Sequence, residues 1–178
     1  MAKQRVVDSM RITFHKESER DYHSIALRSD GVSVRIRGVG RWVGLPHDFA
    51  HYFVEHGLGL RYGFWGQIAL GAVWPQVEIL SGRQKPHAKE RSKEILRDNA
   101  KGISHSEVIV RLFVEITEQE IDSNWDATSK KLRESPEVPR GPKISFEKEL
   151  VDDICEQLRI GKEHWLNLAI GSSITVDW

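Results

Sequence analysis

The residues with the most capacity for chemistry stand together in Leu45-Pro46-His47-Asp48-Phe49-Ala50-His51-Tyr52-Phe53-Val54-Glu55. Wound on a helix at about 100° per residue, this segment sorts into two faces. Pro46, Phe49, Ala50, Phe53 and Val54 form an apolar stripe, while His47, Asp48, His51 and Glu55 gather on the opposite side. Two histidines four residues apart, with an acid directly after the first, follow the pattern of the zinc metalloprotease helix. Neutral imidazoles at this spacing grip a borderline ion such as Zn²⁺ from one side. An adjacent carboxylate then holds or deprotonates a water whose pKa the ion lowers. His47 and His51 are therefore expected as metal ligands, Zn²⁺ as the ion, and Asp48 as the water-orienting or basic group of a small metal-dependent hydrolase. The metalloprotease pattern carries Glu where this chain carries Asp48, which is one methylene shorter, and that counts against peptidase chemistry. Glu55 lies about 12 Å along the axis from His47 at the usual helical rise. It is expected to accept a hydrogen bond from the second nitrogen of His51 rather than to join the ion. A third ligand is expected from His56, His87 or His105.

The plainer reading of the same residues is a polar surface helix. Asp48 would complement the helix dipole in the first turn, and His51 with Glu55 would be an ordinary surface pair. Leu45-Pro46-His47-Asp48-x-x-His51, followed by Gly57-Leu58-Gly59-Leu60 and Gly63-Phe64-Trp65-Gly66, resembles a group of uncharacterised bacterial proteins over about Leu45 to Gly71. The resemblance brings no known activity, and it implies that the helix and the Gly-rich, aromatic segment after it form one unit.

The elements that must position these residues begin with sheet. Met10, Ile12 and Phe14 alternate with polar residues, as do His23, Ile25 and Leu27, and then Val32, Val34 and Ile36. Period-two alternation marks strands with one buried face. Asp30-Gly31 is a hairpin signal, and Lys16 to Asp21 is a polar connection. The spacing thus predicts an antiparallel meander with an apolar inner face and an outer face rich in arginine: Arg11, Arg28, Arg35, Arg37 and Arg41. Gly38 to Gly44 reads as a loop and Leu45 to His56 as a helix, with Pro46 at its first position and Gly57 at its end. Phe64 to Val73 reads as a short buried helix. Beyond Pro86 the pattern is mainly helical. Ala88 to Asn99 is expected to close at Gly102, and Ser104 with Glu107 has the spacing of a capping box. Helices over Ser123 to Glu134 and Ser145 to Ile160 follow, separated by a Pro-rich linker from Pro136 to Pro142. Ile174, Val176 and Trp178 alternate again, so the chain is expected to return as a strand that joins the N-terminal sheet. The fold class is α+β, with helices packed on one face of the sheet. One domain over 1–178 is expected, with sheet in 1–40, mainly helix in 45–170 and the returning strand in 171–178.

Composition narrows the classes. Of 178 residues, 26 are Lys or Arg and 26 are Asp or Glu, so the net charge is zero, which argues against a bulk nucleic-acid binder. No apolar run approaches the length of a membrane span, no secretory leader is evident, and Cys155 is alone, so a cytoplasmic chain without a membrane partner is expected. Gly57, Gly59, Gly63 and Gly66 follow a helix rather than a strand and are expected as turn glycines, not a dinucleotide fingerprint. Phe64, Trp65 and Trp74 are expected as core. Cys155, among Asp152, Asp153 and Glu156, is expected to be a poor nucleophile. The alternative to a metal-dependent protein is a non-enzymatic interaction module using the Arg-rich sheet face or the polar helix face.

Overall fold

The computed structural model describes residues 9–38, 41–42, 44–133 and 144–178. Five strands form one antiparallel sheet: β1 (Met10–Lys16), β2 (Tyr22–Arg28), β3 (Ser33–Arg37), β6 (Val77–Ser81) and β7 (Ser173–Asp177), in the order β6-β3-β2-β1-β7. Two-residue strands β4 (Arg41–Trp42) and β5 (Leu45–Pro46) make a separate small pair. The helices are α1 (His47–Leu58), α2 (Phe64–Leu70), α3 (Ala88–Asp98), α4 (Ala100–Glu118), α5 (Trp125–Arg133) and α6 (Lys148–Asn167). The α+β class, the meander and the returning strand all stand as the alternation predicts. The Pro136–Pro142 linker lies outside the described residues, as do Val39, Gly40 and Val43 of the expected loop.

The register reverses one face. Ile12 pairs with Ala26 and Ala26 with Val34, so Tyr22, Ser24 and Ala26 point to the core while His23 and Ile25 point outward and Leu27 is exposed. Alternation alone favoured the larger apolar set, His23-Ile25-Leu27. The partner strands decide instead, because Ile12, Phe14, Val34 and Ile36 already define the covered side. Arg28 shares the parity of Ala26, so it stands on the helix side of the sheet and not among the outer arginines. Arg11 pairs with Asp177 and Arg35 with Glu17, so these outer cations meet acids of the sheet portion rather than of the helices. The side chain of Arg41 lies outside the described residues. A strand missing from the pattern, β6, adds to β3 with a register shift at Ser33/Val34.

Helix boundaries move where packing outweighs local signals. Leu45–Pro46 is strand, and Pro46 precedes α1 in an extended conformation, φ −57° and ψ 136°. Gly57 lies inside α1, and the left-handed residue that ends the helix is Gly59 at φ +65°, whose amide, with that of Leu60, bonds back to the last carbonyls. Gly102 and Gly161 likewise lie within helices, α4 and α6. Gly57 and Gly161 are the contact points of α1 and α6. A methyl at Gly57 would stand 2.6 Å from Ile154, and one at Gly161 2.3 Å from Phe53.

The core lies between the sheet and α1, α2, α4 and α6. Phe14 of β1 stacks on Phe49 of α1 at 4.4 Å and meets Trp65 of α2 edge-on at 5.7 Å. Trp65 is fully buried, as the sequence suggested, and its Nε1 donates to the Asp48 carbonyl at 2.8 Å, locking α2 to the start of α1. Lys16, 4% exposed, donates through Nζ to the carbonyls of Trp165 and Leu168 at 3.3 and 2.9 Å, where the end of α6 leaves acceptors unpaired. Cys155 is buried, and burial pushes its thiol up to about 11, so it is inert.

Gly66 permits α2 to lie against the chain that leads into it, because a methyl there would stand 2.2 Å from the Arg61 carbonyl oxygen. Backbone cannot yield as a side-chain tip can. Gly66→Ala should therefore cost about 1–3 kcal/mol of stability by overpacking, despite the helix propensity it gains, measured as a lower urea midpoint.

Candidate metal centre

The site is built outward from Glu55. Its carboxylate is completely buried and accepts four hydrogen bonds from three elements. Oε1 takes His51 Nδ1 of α1 at 2.8 Å, the Phe64 amide at the start of α2 at 2.7 Å, and the hydroxyl of Ser106 on α4. Oε2 takes the Trp65 amide at 3.0 Å. The first amides of α2 have no partner within their own helix, and the dipole favours an anion there, so the carboxylate caps α2. Gly63 makes the approach possible, since a methyl on it would stand 2.3 Å from the carboxyl group. Gly63 thus serves a helix N-terminus that faces an anion, and the anion is the chain's own Glu55.

This arrangement overturns the expectation of a solvated helix face. Asp48, His51 and Glu55 are 2%, 0% and 0% exposed, because α2 and α4 pack over the side of α1 that faces away from the apolar stripe. The interaction expected between Glu55 and His51 is present. It fixes the tautomer: a carboxylate can only accept, so Nδ1 carries the proton and Nε2 is the free ring nitrogen of a neutral His51.

His51 Nε2 and His47 Nε2 each lie 3.3 Å from the same oxygen, Oε2 of Glu107 on α4, and the three form a group with ligand atoms within 4.8 Å of one another. The histidine rings are 4.5 Å apart. Bonds of about 2.0–2.2 Å at a tetrahedral ion place neighbouring ligand atoms about 3.3–3.5 Å apart, which is the spacing observed from Glu107 to each histidine. His51 Nε2 is buried with no hydrogen-bond partner among the described residues, since its approach to Glu107 does not meet hydrogen-bond geometry. Glu107 is 45% and His47 22% exposed at the side chain, so the group opens to solvent on one side.

The expected third ligands do not arrive. His56 is exposed and stacks on Tyr52, His87 sits at the exposed turn before α3, and His105 meets the Tyr62 hydroxyl at 3.1 Å. Glu107 takes that place. Its spacing from Ser104 resembled a capping box, yet α4 begins at Ala100, and Ser104 to Glu107 lies inside the helix. The available signal was a different one. Ser106 and Glu107 interrupt the stripe of Ile103, Val110, Phe113 and Val114, which places polar groups on a face that must pack. Asp48 stands behind His47, with Oδ1 3.5 Å from Nδ1, on the opposite side of the ring from Glu107. Its Oδ2 is buried without a hydrogen bond among the described residues.

Burial lowers the pKa of both histidines, but carboxylates outweigh it. Glu107 and Glu55 hold His51 up at about 10, and Asp48 with Glu107 raise His47. Glu107 is desolvated, which alone would raise it, yet the two histidines hold it far below the ordinary carboxylate range. No family model, no curated protein and no solved structure matches this chain.

Two outcomes follow. Glu55→Gln turns one acceptor into a donor that faces amides already donating, so it should destabilise by about 3–5 kcal/mol in urea unfolding. The second outcome is a pH dependence of the metal-free protein. A histidine whose folded pKa is raised stabilises fully below its ordinary 6.5 and loses that contribution as pH rises towards about 10. The urea midpoint of chelator-treated protein should therefore fall between pH 6.5 and 10, and Glu107→Gln should flatten that fall.

Proposed function

We propose that this protein is a metal-dependent hydrolase whose centre is a Zn²⁺ ion held by His47, His51 and Glu107. The observation that supports the reading most directly is the convergence of two imidazole nitrogens on one carboxylate oxygen at 3.3 Å, with the buried Nε2 of His51 facing that oxygen and no other partner among the described residues. Two histidines and one carboxylate are a ligand set of catalytic zinc sites, and the same set with open positions also serves Fe²⁺. The solvent-open side leaves room for a water, whose pKa the ion would lower to near 7.

In this reading Glu55 and Asp48 both act through a histidine. Glu55 holds the His51 proton on Nδ1 and makes Nε2 a stronger donor to the ion, and Asp48 faces the Nδ1 side of His47 in the same sense. The water-orienting role that sequence proximity suggests for Asp48 is replaced by this positioning role. In the metal-free state a proton on Nε2 of His51 faces Glu107 from the side where the ion would be held, while Glu55 keeps Nδ1. Metal uptake then releases protons and strengthens as pH rises.

Protein purified without added metal, then stripped and titrated with Zn²⁺ or Co²⁺, tests the reading. One ion per chain, a raised melting temperature and proton release on binding are expected. His51→Ala and Glu107→Ala should abolish stoichiometric binding, and His105→Ala should leave it unchanged. Absence of both stoichiometric metal and a melting shift would sink the proposal.

A docking role for the outer sheet face is the second reading. Its support is that the helices cover the other face, leaving Leu27 46% exposed at one end of β2 and the stacked pair of His15 and His23 at the other end of the same outer face. Partner capture that survives Arg35→Glu with Arg37→Glu would remove it.

A further inference from the structure

A cavity of about 410 Å³ lies between the end of β2, the β2–β3 turn, the C-terminal end of α2 and the start of α3. Its size is within the range of small-molecule sites. Three cations line it, Arg28, Lys85 and Arg91, against one carboxylate, Asp30, so three positive charges less one negative leave a net charge of +2.

Arg28 is built into the wall. The inward parity of β2 carries it to the helix side, and its side chain is 9% exposed. Asp30 clamps it from one edge, accepting from Nε at 3.1 Å and from Nη2 at 2.6 Å. That clamp fixes the guanidinium plane and leaves Nη1 with no hydrogen-bond partner among the described residues. Gly71, at φ +108°, faces the same guanidinium, and a methyl added to it would stand 3.7 Å from Nη1. The side chains of Lys85 and Arg91 have no ion pair or hydrogen bond among the described residues, although both line the cavity. Two exposed cations at the mouth, and a clamped, mostly covered arginine within, give the cavity the chemistry to meet an anion. Leu70, 49% exposed, supplies an apolar wall.

We propose that this cavity binds a phosphomonoester. A phosphate monoester carries about −1.5 to −2 at neutral pH, which matches the charge of the lining better than a single carboxylate does. Arg28 Nη1 donates to one phosphate oxygen, Lys85 and Arg91 meet the others, and the organic part of the ester lies against Leu70. The site is separate from the His47–His51–Glu107 group. Glu55 holds the first amides of α2, whereas the cavity meets residues at the last turn of that helix, about 10 Å further along its axis.

The test uses the full chain labelled with ¹⁵N, in chelator so that no metal contributes, titrated with glycerol 3-phosphate and with inorganic phosphate. Saturable shifts at the amides of Asp30, Gly71 and Ala88 are expected with both probes, tighter with the ester. Sodium chloride at equal ionic strength should not reproduce them. Lys85→Glu with Arg91→Glu, both at exposed positions, should weaken binding at least about tenfold, and Arg91→Gln alone should weaken it less. The melting temperature reports whether each variant is folded. Absence of saturable shifts up to about 10 mM, equal response to chloride, or unchanged affinity in the folded variants would overturn the proposal. Shifts with inorganic phosphate but no gain from the ester would also overturn it.

Discussion

The interior is organised around the buried carboxylate of Glu55. An ionised carboxylate cannot be taken out of water unless its lone pairs are met, and four donors from three helices meet them here. That requirement ties α1, α2 and α4 together more tightly than apolar contact would, because hydrogen bonds are directional. It also accounts for sequence features that look unrelated along the chain. Gly63 is small so that the carboxylate can approach, Ser106 is polar on an otherwise apolar helix face, and α2 starts where its amides can reach Oε1 and Oε2.

The same constraint shapes the candidate metal centre. With Nδ1 of His51 committed to Glu55, Nε2 has one direction left, towards Glu107. His47, one turn earlier on α1, brings its own Nε2 to the same oxygen, with Asp48 behind it. Each histidine therefore has a carboxylate on either side. Without a metal, the arrangement favours imidazolium; a divalent ion at the proposed centre would take the place of the protons on the Glu107 side, with the outer carboxylates still holding the rings. The candidate centre and the stability of the helical layer share Glu55, so the candidate ligands are held on packed helices rather than on loops.

The zero net charge reads differently once the pairs are placed. An electrostatic match between a basic sheet and acidic helices would have been one way to reach it. Instead Arg11 and Arg35 find acids within the sheet portion, while Arg28 turns to the helix side and meets Lys85 and Arg91 at a cavity. A neutral total is compatible with local charge of either sign, because pairing is decided over a few ångströms and not over the chain.

Local pattern was enough for the class of fold, the meander, the terminal strand, the helix that carries His47, Asp48, His51 and Glu55, and the link between His51 and Glu55. All of these rest on periodicity or on spacing of four residues, which fix which side chains share a face or touch. What local pattern misassigned depended on neighbours distant in sequence. The inner face of β2 was set by β1 and β3, and the glycines at 57, 102 and 161 lie within helices that other elements hold in place. The polar face of α1 is buried because α2 and α4 cover it. Glu107 joins the histidines from a separate helix, more than fifty residues later in the chain. No spacing rule reaches across that separation. Only the packing of α4 onto α1, with Ser106 reaching Glu55 one position away, brings the third group to the pair.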